Sequence, residues 1–327
     1  MEPPIDINNI FSVSDSNFDD LAVELYHWQY RHNPVYRQWV NLVTSSPGNI
    51  KTHAQIPALP ISFFKTHQVL VSDQLPACVF ESSKTTGMVS SKHYVPNPEG
   101  YEKSSVKGFE QQYGKLEDWC VLALLPAYLE RENSSLVYMA NHFIEKSGHP
   151  SSGFYLYDFA ELHKKLLELE AAGQKTLLLG VTFALLDFTE KYPIKLSHTV
   201  IMETGGMKGR GKELTREELH QLLCSRTGLS SIHAEYGMTE LLSQAYSAGE
   251  GRFYCPPWMK VMLRREDDPF EIVKEGTGLI QVIDLMNMYS CAFIATQDIG
   301  KCYPDGSFEV IGRMDYSDLR GCSLMVV

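Results

Sequence analysis

The sequence predicts an α/β fold, mixed sheets flanked by helices with a β-rich subdomain behind them, and three observations carry that prediction. From residue 76 onward apolar strand-like runs alternate with amphipathic helical ones, the pattern of layered α/β domains with a largely parallel sheet. After Tyr254-Cys255-Pro256-Pro257 the pattern changes to short strands and turns. The chain has 327 residues, 44% of them hydrophobic, enough for a sizeable core and more than one subdomain.

Taken in order, residues 1–60 form a helical opening segment. Its acidic, aromatic-rich stretch over 15–43 is followed by a connection through Pro47, Pro57 and Pro60. An α/β core is expected over 61–254, a β-rich subdomain of the same core over 255–312, and a hinge-like tail over 313–327. Residues 116–129 have helical spacing interrupted by Pro126, and 136–139 read as a short strand. A helix over 159–172 ends at Gly173. Residues 176–181 form a buried strand, and another over 199–202 breaks at Thr204-Gly205-Gly206. Thr215 and Glu218 make a capping box that opens a helix through Cys224, and 241–245 look helical. Strands follow over 279–283 and 293–296, then a strand pair over 301–310 folded about Pro304-Asp305-Gly306, where proline fixes φ and glycine admits positive φ.

The formal charge of −11, from 40 acidic and 29 basic residues, argues against broad binding to nucleic acid or anionic membranes. No run reaches the roughly 18 apolar residues of a spanning helix, and Met1-Glu2-Pro3-Pro4 is a poor start for a signal peptide. The expectation is a cytoplasmic protein without stable membrane insertion. Seven cysteines (78, 120, 224, 255, 291, 302 and 322), odd in number and without a Cys-x-x-Cys, indicate neither a disulfide framework nor a zinc site. Cys322 stands apart by position, close to Arg320, whose charge favours the thiolate.

Five segments carry chemistry. Ser82-Ser83-Lys84-Thr85-Thr86-Gly87 follows the apolar Cys78-Val79-Phe80 and offers four hydroxyls and a glycine, which suits wrapping phosphate oxygens as well as forming a solvated turn. Glu203-Thr204-Gly205-Gly206 leads into Met207-Lys208-Gly209-Arg210-Gly211-Lys212, a basic, glycine-rich run that reads equally as a solvated connection. In Glu235-Tyr236-Gly237-Met238-Thr239-Glu240 an aromatic face can stack on a purine and glycine permits close backbone approach. Thr239 would stand at a helix N-terminus that favours an anion, and the Glu240 carboxylate suits Mg²⁺ shared with phosphate oxygens; the plain reading is a helix cap with a surface glutamate. Thr296-Gln297-Asp298-Ile299-Gly300 places a carboxylate at a strand end, where it can accept two hydroxyls at once. Gly312-Arg313-Met314-Asp315 comes last. His142 and His233 have no assigned role.

In order and spacing these segments resemble the signature loops of the adenylate-forming enzymes. The resemblance implies that family's large-domain architecture, a nucleotide-binding core, and ATP and Mg²⁺ as cofactors. It implies Ser82, Ser83, Lys84, Thr85, Thr86 and Gly87 around the phosphates, with lysine departing from the family's glycine at 84, where it either meets a phosphate or blocks the loop geometry. Gly205 and Gly206 would lie against the adenine edge. Tyr236, Gly237 and Thr239 would take adenine and the α-phosphate, Glu240 the metal, Asp298 the ribose, Arg313 ribose or phosphate, and Asp315 would be a pivot. Family members continue past this hinge into a small domain with a catalytic lysine; that domain is expected to be absent here. The run from Thr85 to His93 and the ending Arg320-Gly321-Cys322-Ser323-Leu324 look most like the acyl-protein synthetase branch of bacterial luminescence operons. That likeness implies activation of a fatty acid as acyl-AMP and its transfer to Cys322, with a reductase, acyltransferase or carrier as acyl-accepting partner. Two alternatives stay open: a phenylacetate-CoA-ligase-like enzyme using free CoA or a carrier thiol, and a nucleotide- or acyl-binding module without turnover.

Overall fold

The computed structural model describes residues 2–83, 89–126, 133–205, 214–268, 270–273 and 275–314. The opening segment forms helices α1 (Phe18–His32) and α2 (Pro34–Val43), divided where Pro34 lacks an amide hydrogen and Asn33 accepts a hydrogen bond from the Tyr36 amide at 3.0 Å. Gln29 of α1 is fully buried and donates to the carbonyls of Asn287 and Met288 at 3.0 and 2.7 Å, while Asn33 donates to that of Ser290 at 2.8 Å. The helices thereby fix the loop that supplies Asn287 to the site described below. Strand β1 (Leu59–Pro60), the short helix α3 (Phe63–Thr66) and the antiparallel pair β2 (Cys78–Glu81) and β3 (Lys92–Val95) follow.

Helix α4 (Pro98–Tyr113) leads into an alternation of β4 (Cys120–Leu124), α5 (Ser135–Ser147), β5 (Gly153–Phe154), α6 (Phe159–Ala171), β6 (Thr176–Gly180), α7 (Thr182–Lys191), β7 (Thr199–Glu203), α8 (Arg216–Thr227), β8 (His233–Tyr236) and β9 (Ala245–Ser247). The sheet runs β5-β4-β6-β7-β8-β9, parallel through β8, with β9 antiparallel at the edge. Val121, Ala123, Leu177 and Leu179 face one core; Cys120, Leu122, Leu124 and Leu178 face the other. Central strands buried on both faces lack apolar-polar alternation. A second sheet contains β10 (Met259–Arg264), β11 (Ile272–Val273), β12 (Gly276–Asp284), β13 (Phe293–Cys302) and β14 (Phe308–Arg313), in the order β1-β13-β12-β10-β11 with β14 on β13. Gly306, at φ +81°, turns β13 into β14 as expected. Bridges Tyr246 to Tyr254 and Phe253 to Phe308 join the two sheets.

The helix over 159–172, the strands over 176–181 and 199–202 and the Thr215–Glu218 capping box take the expected form. Three expectations fail. In 116–129 the helical spacing becomes a one-turn 3-10 segment (Leu116–Asp118) and central strand β4, because a short wholly apolar run carries no period that separates strand from buried helix; residues 127–132 lie outside the described ones. The strand read at 136–139 lies inside α5, capped by Ser134 and ended by Gly148 at φ +60°. The helix read at 241–245 is turn followed by β9. There the fully buried Asp284 accepts from the Leu242 amide (2.7 Å), the Ser243 hydroxyl (2.6 Å) and the Met286 amide (3.1 Å), so a carboxylate satisfies donors that a helix would have paired internally.

Candidate active site

The sequence motifs meet where the edge of the parallel sheet abuts β13 and β14. Tyr236, last residue of β8, is 7% exposed, and its ring packs edge-on against Phe253 and Phe308 at 5.9 and 5.3 Å. Its phenol donates to Asp298 Oδ2 at 3.0 Å. Asp298 lies within β13 rather than at a strand end, directly opposite Arg313 in register, with the Arg313 Nε 3.9 Å from its Oδ1. Burial holds the Asp298 carboxyl above its ordinary range, opposed by Arg313 and the Tyr236 phenol. One carboxylate oxygen is already engaged by the phenol, so a two-oxygen grip on a diol requires Tyr236 to yield.

Gly237 opens the turn after β8 in a tight place: a Cβ there would stand 2.3 Å from Glu235 Oε1, so the Glu235 side chain would have to shift to admit it. Thr239 and Glu240 occupy that turn, so Thr239 is not at a helix N-terminus and no helix dipole acts there. Their backbone is held from below. His93, fully buried on β3, has Nδ1 2.8 Å from the Thr239 carbonyl and Nε2 3.1 Å from Asn287 Oδ1, and Asn287 donates to the Glu240 carbonyl at 2.8 Å. Burial pushes the imidazole down to about 4 against these two contacts. The Glu240 side chain is 5% exposed. Burial raises its pKa, opposed by a hydrogen bond from Ser91 and by the charges of Arg313 and Lys65. In donor chemistry, one buried carboxylate beside a hydroxyl is a hard oxygen ligand of the kind that Mg²⁺ shares with phosphate oxygens.

Ser82 stands at the base of the Ser/Thr loop, where its hydroxyl accepts from the Ser91 amide at 2.9 Å and its own amide donates to the Ser91 carbonyl at 3.1 Å. Ser83 is exposed. Lys84, Thr85, Thr86, Gly87, Gly206, Asp315 and Cys322 lie outside the described residues. Gly205 follows β7 at φ +75°, a conformation only glycine adopts readily, and its amide donates to Glu203 at 2.7 Å. Burial is the largest effect on Glu203 and raises its pKa. His220, Arg216 and the Gly205 amide together outweigh it, and the carboxyl ends below its ordinary range. Arg216 binds Glu203 at 3.0 Å and the Val310 carbonyl at 3.1 Å, tying β7 to β14.

The structure thus brings Ser82, Gly205, Tyr236, Gly237, Thr239, Glu240, Asp298 and Arg313 into one neighbourhood. Reading the sequence missed His93, Asn287, Arg216 and Lys65. Lys65 sits on α3 in a segment with no motif of its own, and His93 closes the Thr85–His93 run without anything in that run marking it as a support for the turn.

No family model matches the sequence. Among curated proteins the chain is similar to a long-chain-fatty-acid–luciferin-component ligase of Aliivibrio fischeri, 24% identical over 344 aligned residues that cover 94% of this chain and 86% of that protein. Among solved structures it is similar to ATP-bound MatB from Rhodopseudomonas palustris (TM-score 0.52, 20% identity, 72% of this chain), of whose length it spans 47%. It is also similar to an open conformation of 2-hydroxyisobutyryl-CoA ligase in complex with 2-HIB-AMP and CoA (TM-score 0.69, 11% identity, 92% of this chain and 70% of that one). No helix of the described residues is long and apolar enough to cross a membrane. The likeness to these ligase structures, over 72% and 92% of this chain, is one of fold: a mixed α/β architecture of sheets and helices.

Proposed function

We propose that the protein activates a carboxylic acid with ATP as an acyl adenylate and passes the acyl group to a cysteine thiol, that of Cys322. The observation that carries this reading is the junction itself: the Ser82–Ser91 loop base, the Tyr236–Glu240 turn, Asp298 and Arg313 adjoin one another through the Ser91–Glu240 and Tyr236–Asp298 contacts. The printed name of the Aliivibrio fischeri relative supports an acid of the fatty class.

In the first half-reaction an oxygen of the substrate carboxylate attacks the α-phosphorus of ATP and pyrophosphate leaves. Glu240 and the ATP phosphates would hold Mg²⁺, which when bound supplies positive charge to the phosphate oxygens. Arg313 and Lys65 offset charge on the same oxygens. The His93–Asn287 clamp keeps the Thr239–Glu240 turn in place while that charge develops. In the second half-reaction the Cys322 thiolate attacks the acyl carbonyl, a thioester forms, and AMP leaves with the oxygen it gained from the acid.

Exchange of labelled pyrophosphate into ATP, dependent on added acid, tests the first half; none across a broad panel of acids rejects it. Labelled acid with ATP tests the second. The wild-type chain should become covalently tagged, and Cys322→Ala should lose the tag while keeping exchange. Equal tagging of the variant would put the acyl group on another residue and remove the Cys322 step; exchange with no tag on the wild-type chain would leave a soluble thiol such as CoA as acceptor.

A further inference from the structure

Arg313 stands opposite Asp298 only because β14 carries one residue more than the stretch of β13 it pairs with. From Cys302 opposite Phe308 to Gly300 opposite Val310 the strands pair residue for residue; then Ile299 stands opposite Gly312 and Asp298 opposite Arg313. Ile311 is left without a partner on β13, a β-bulge, and is 59% exposed. Pairing resumes beyond it, where the Met314 amide donates to the Gln297 carbonyl at 2.8 Å. Without the extra residue the register would set Gly312 against Asp298 and carry Arg313 on to Gln297. Side chains alternate along a strand, so that slip would also turn the guanidinium to the other face of the sheet. Gly300 leaves room for the irregularity: a Cβ there would stand 2.6 Å from the Glu309 carbonyl oxygen and 2.6 Å from Ile280 Cδ1.

An edge strand has a sheet partner on one side only, and here a side chain from the other sheet's flank supports the free side. Along the outer edge of β14 the Phe308 carbonyl accepts from the Phe253 amide at 2.7 Å, and the next outward carbonyl, that of Val310, accepts from Arg216 Nη1 at 3.1 Å. Val310 is the residue at which the bulge begins. Arg216 is the first residue of α8, placed by the Thr215–Glu218 capping box. Its Nε bonds Glu203 Oε1 at 3.0 Å, and the other carboxylate oxygen of Glu203 accepts from the Gly205 amide at 2.7 Å. Its guanidinium carbon lies 5.0 Å from the centre of the Phe253 ring, against which Tyr236 packs. One planar fork thus holds acceptors on two different sheets in fixed directions, which a single ammonium cannot do.

We propose that Arg216 is a positioning residue for the nucleotide: by tying the Val310 carbonyl to Glu203 it holds the bulge in register, and so keeps Arg313 on Asp298 where both can grip ATP. The inference rests on the proposed activation for the identity of that ligand. Arg216 does not touch the nucleotide in this role; its effect runs through Arg313.

The test is ATP affinity in the presence of Mg²⁺, measured by titration calorimetry on the full chain, which reads binding whether or not exchange occurs. Arg313→Met and Arg216→Met should each weaken ATP about tenfold. The double variant should be no weaker than either alone to within about twofold, because both substitutions remove the same grip. Arg216→Lys keeps a positive charge beside Glu203, so its melting temperature should stay near that of the wild type while ATP affinity falls as in Arg216→Met. Deletion of Ile311 abolishes the bulge and should give the same loss. Losses that multiply in the double variant, or wild-type affinity in Arg216→Lys or in the Ile311 deletion, would overturn the inference and leave acid activation untouched. In a chain that binds ATP but exchanges no pyrophosphate with any acid, the activation reading fails and the affinity series still decides this inference; a chain that binds no ATP removes both.

Discussion

Two buried polar clusters flank the bond between Ser243 and Gln244, and they are finished to different degrees. On one side Asp284, Ser243, Ser104 and Trp258 form a closed network: Asp284 accepts from three donors, and the Trp258 indole N–H lies 2.9 and 3.0 Å from the Ser104 and Ser243 hydroxyls. On the other side the side-chain amide oxygen of Gln244 and the hydroxyl of Tyr246 have no such partners among the described residues. The satisfied cluster replaces a helix and fixes the turn that bears Thr239 and Glu240. The unsatisfied one holds nothing together. Full pairing marks groups the fold needs; missing pairing in the same layer marks groups on which it does not depend.

Substitutions should separate the two clusters. The largest effect is expected from Asp284→Ala, which orphans three buried donors and should lower unfolding stability by about 3 kcal/mol or more in urea titration. Glu240→Gln, next to the closed cluster but not in it, should leave unfolding nearly unchanged and reduce pyrophosphate exchange about 100-fold, since it removes charge rather than packing. Exchange at wild-type rate would detach Glu240 from the chemistry.

The pH dependence of stability sharpens the contrast further. The Glu235 carboxyl, pushed up to about 8 from an ordinary 4.5, keeps its proton when folded across a range where the unfolded chain has released it. Stability therefore falls as pH rises through that window. Asp284, pushed up to about 6, has the same sign but completes its share near pH 6. Above about pH 6.5 the Asp284 share is complete, and Glu235→Gln should flatten the decline in melting temperature between there and about pH 8 relative to the wild type; an unchanged slope would refute the burial of that carboxyl. Smallest of all, Tyr246→Phe should shift unfolding stability by less than about 0.5 kcal/mol or raise it slightly, because the hydroxyl it removes has no partner to lose.

Much of this was legible in the residues. The Tyr236–Glu240 segment, Asp298 and Arg313 announce themselves by type and order, and the strands at 176–181 and 199–202 as short apolar runs. What escaped has physical causes. Strand β4 is buried on both faces, so its sequence carries no alternation. The turn at 241–244 reads as helix because the residue that denies it a helix, Asp284, is some forty positions away in sequence. His93 and Asn287 act through backbone carbonyls, which leave no mark on the sequence they hold. The unpaired polar face was half visible: Glu235 and Gln244 were on the page, but only the register of β8 with β9 puts them on one face.

The central claim is that these convergent side chains adenylate an acid. Its most direct measurement is incorporation of labelled pyrophosphate into ATP by the full chain with Mg²⁺, with and without added carboxylic acids. The account predicts exchange that requires an acid and is lost in Glu240→Gln; exchange absent with every acid tried, in a protein that binds ATP and is folded, would contradict it.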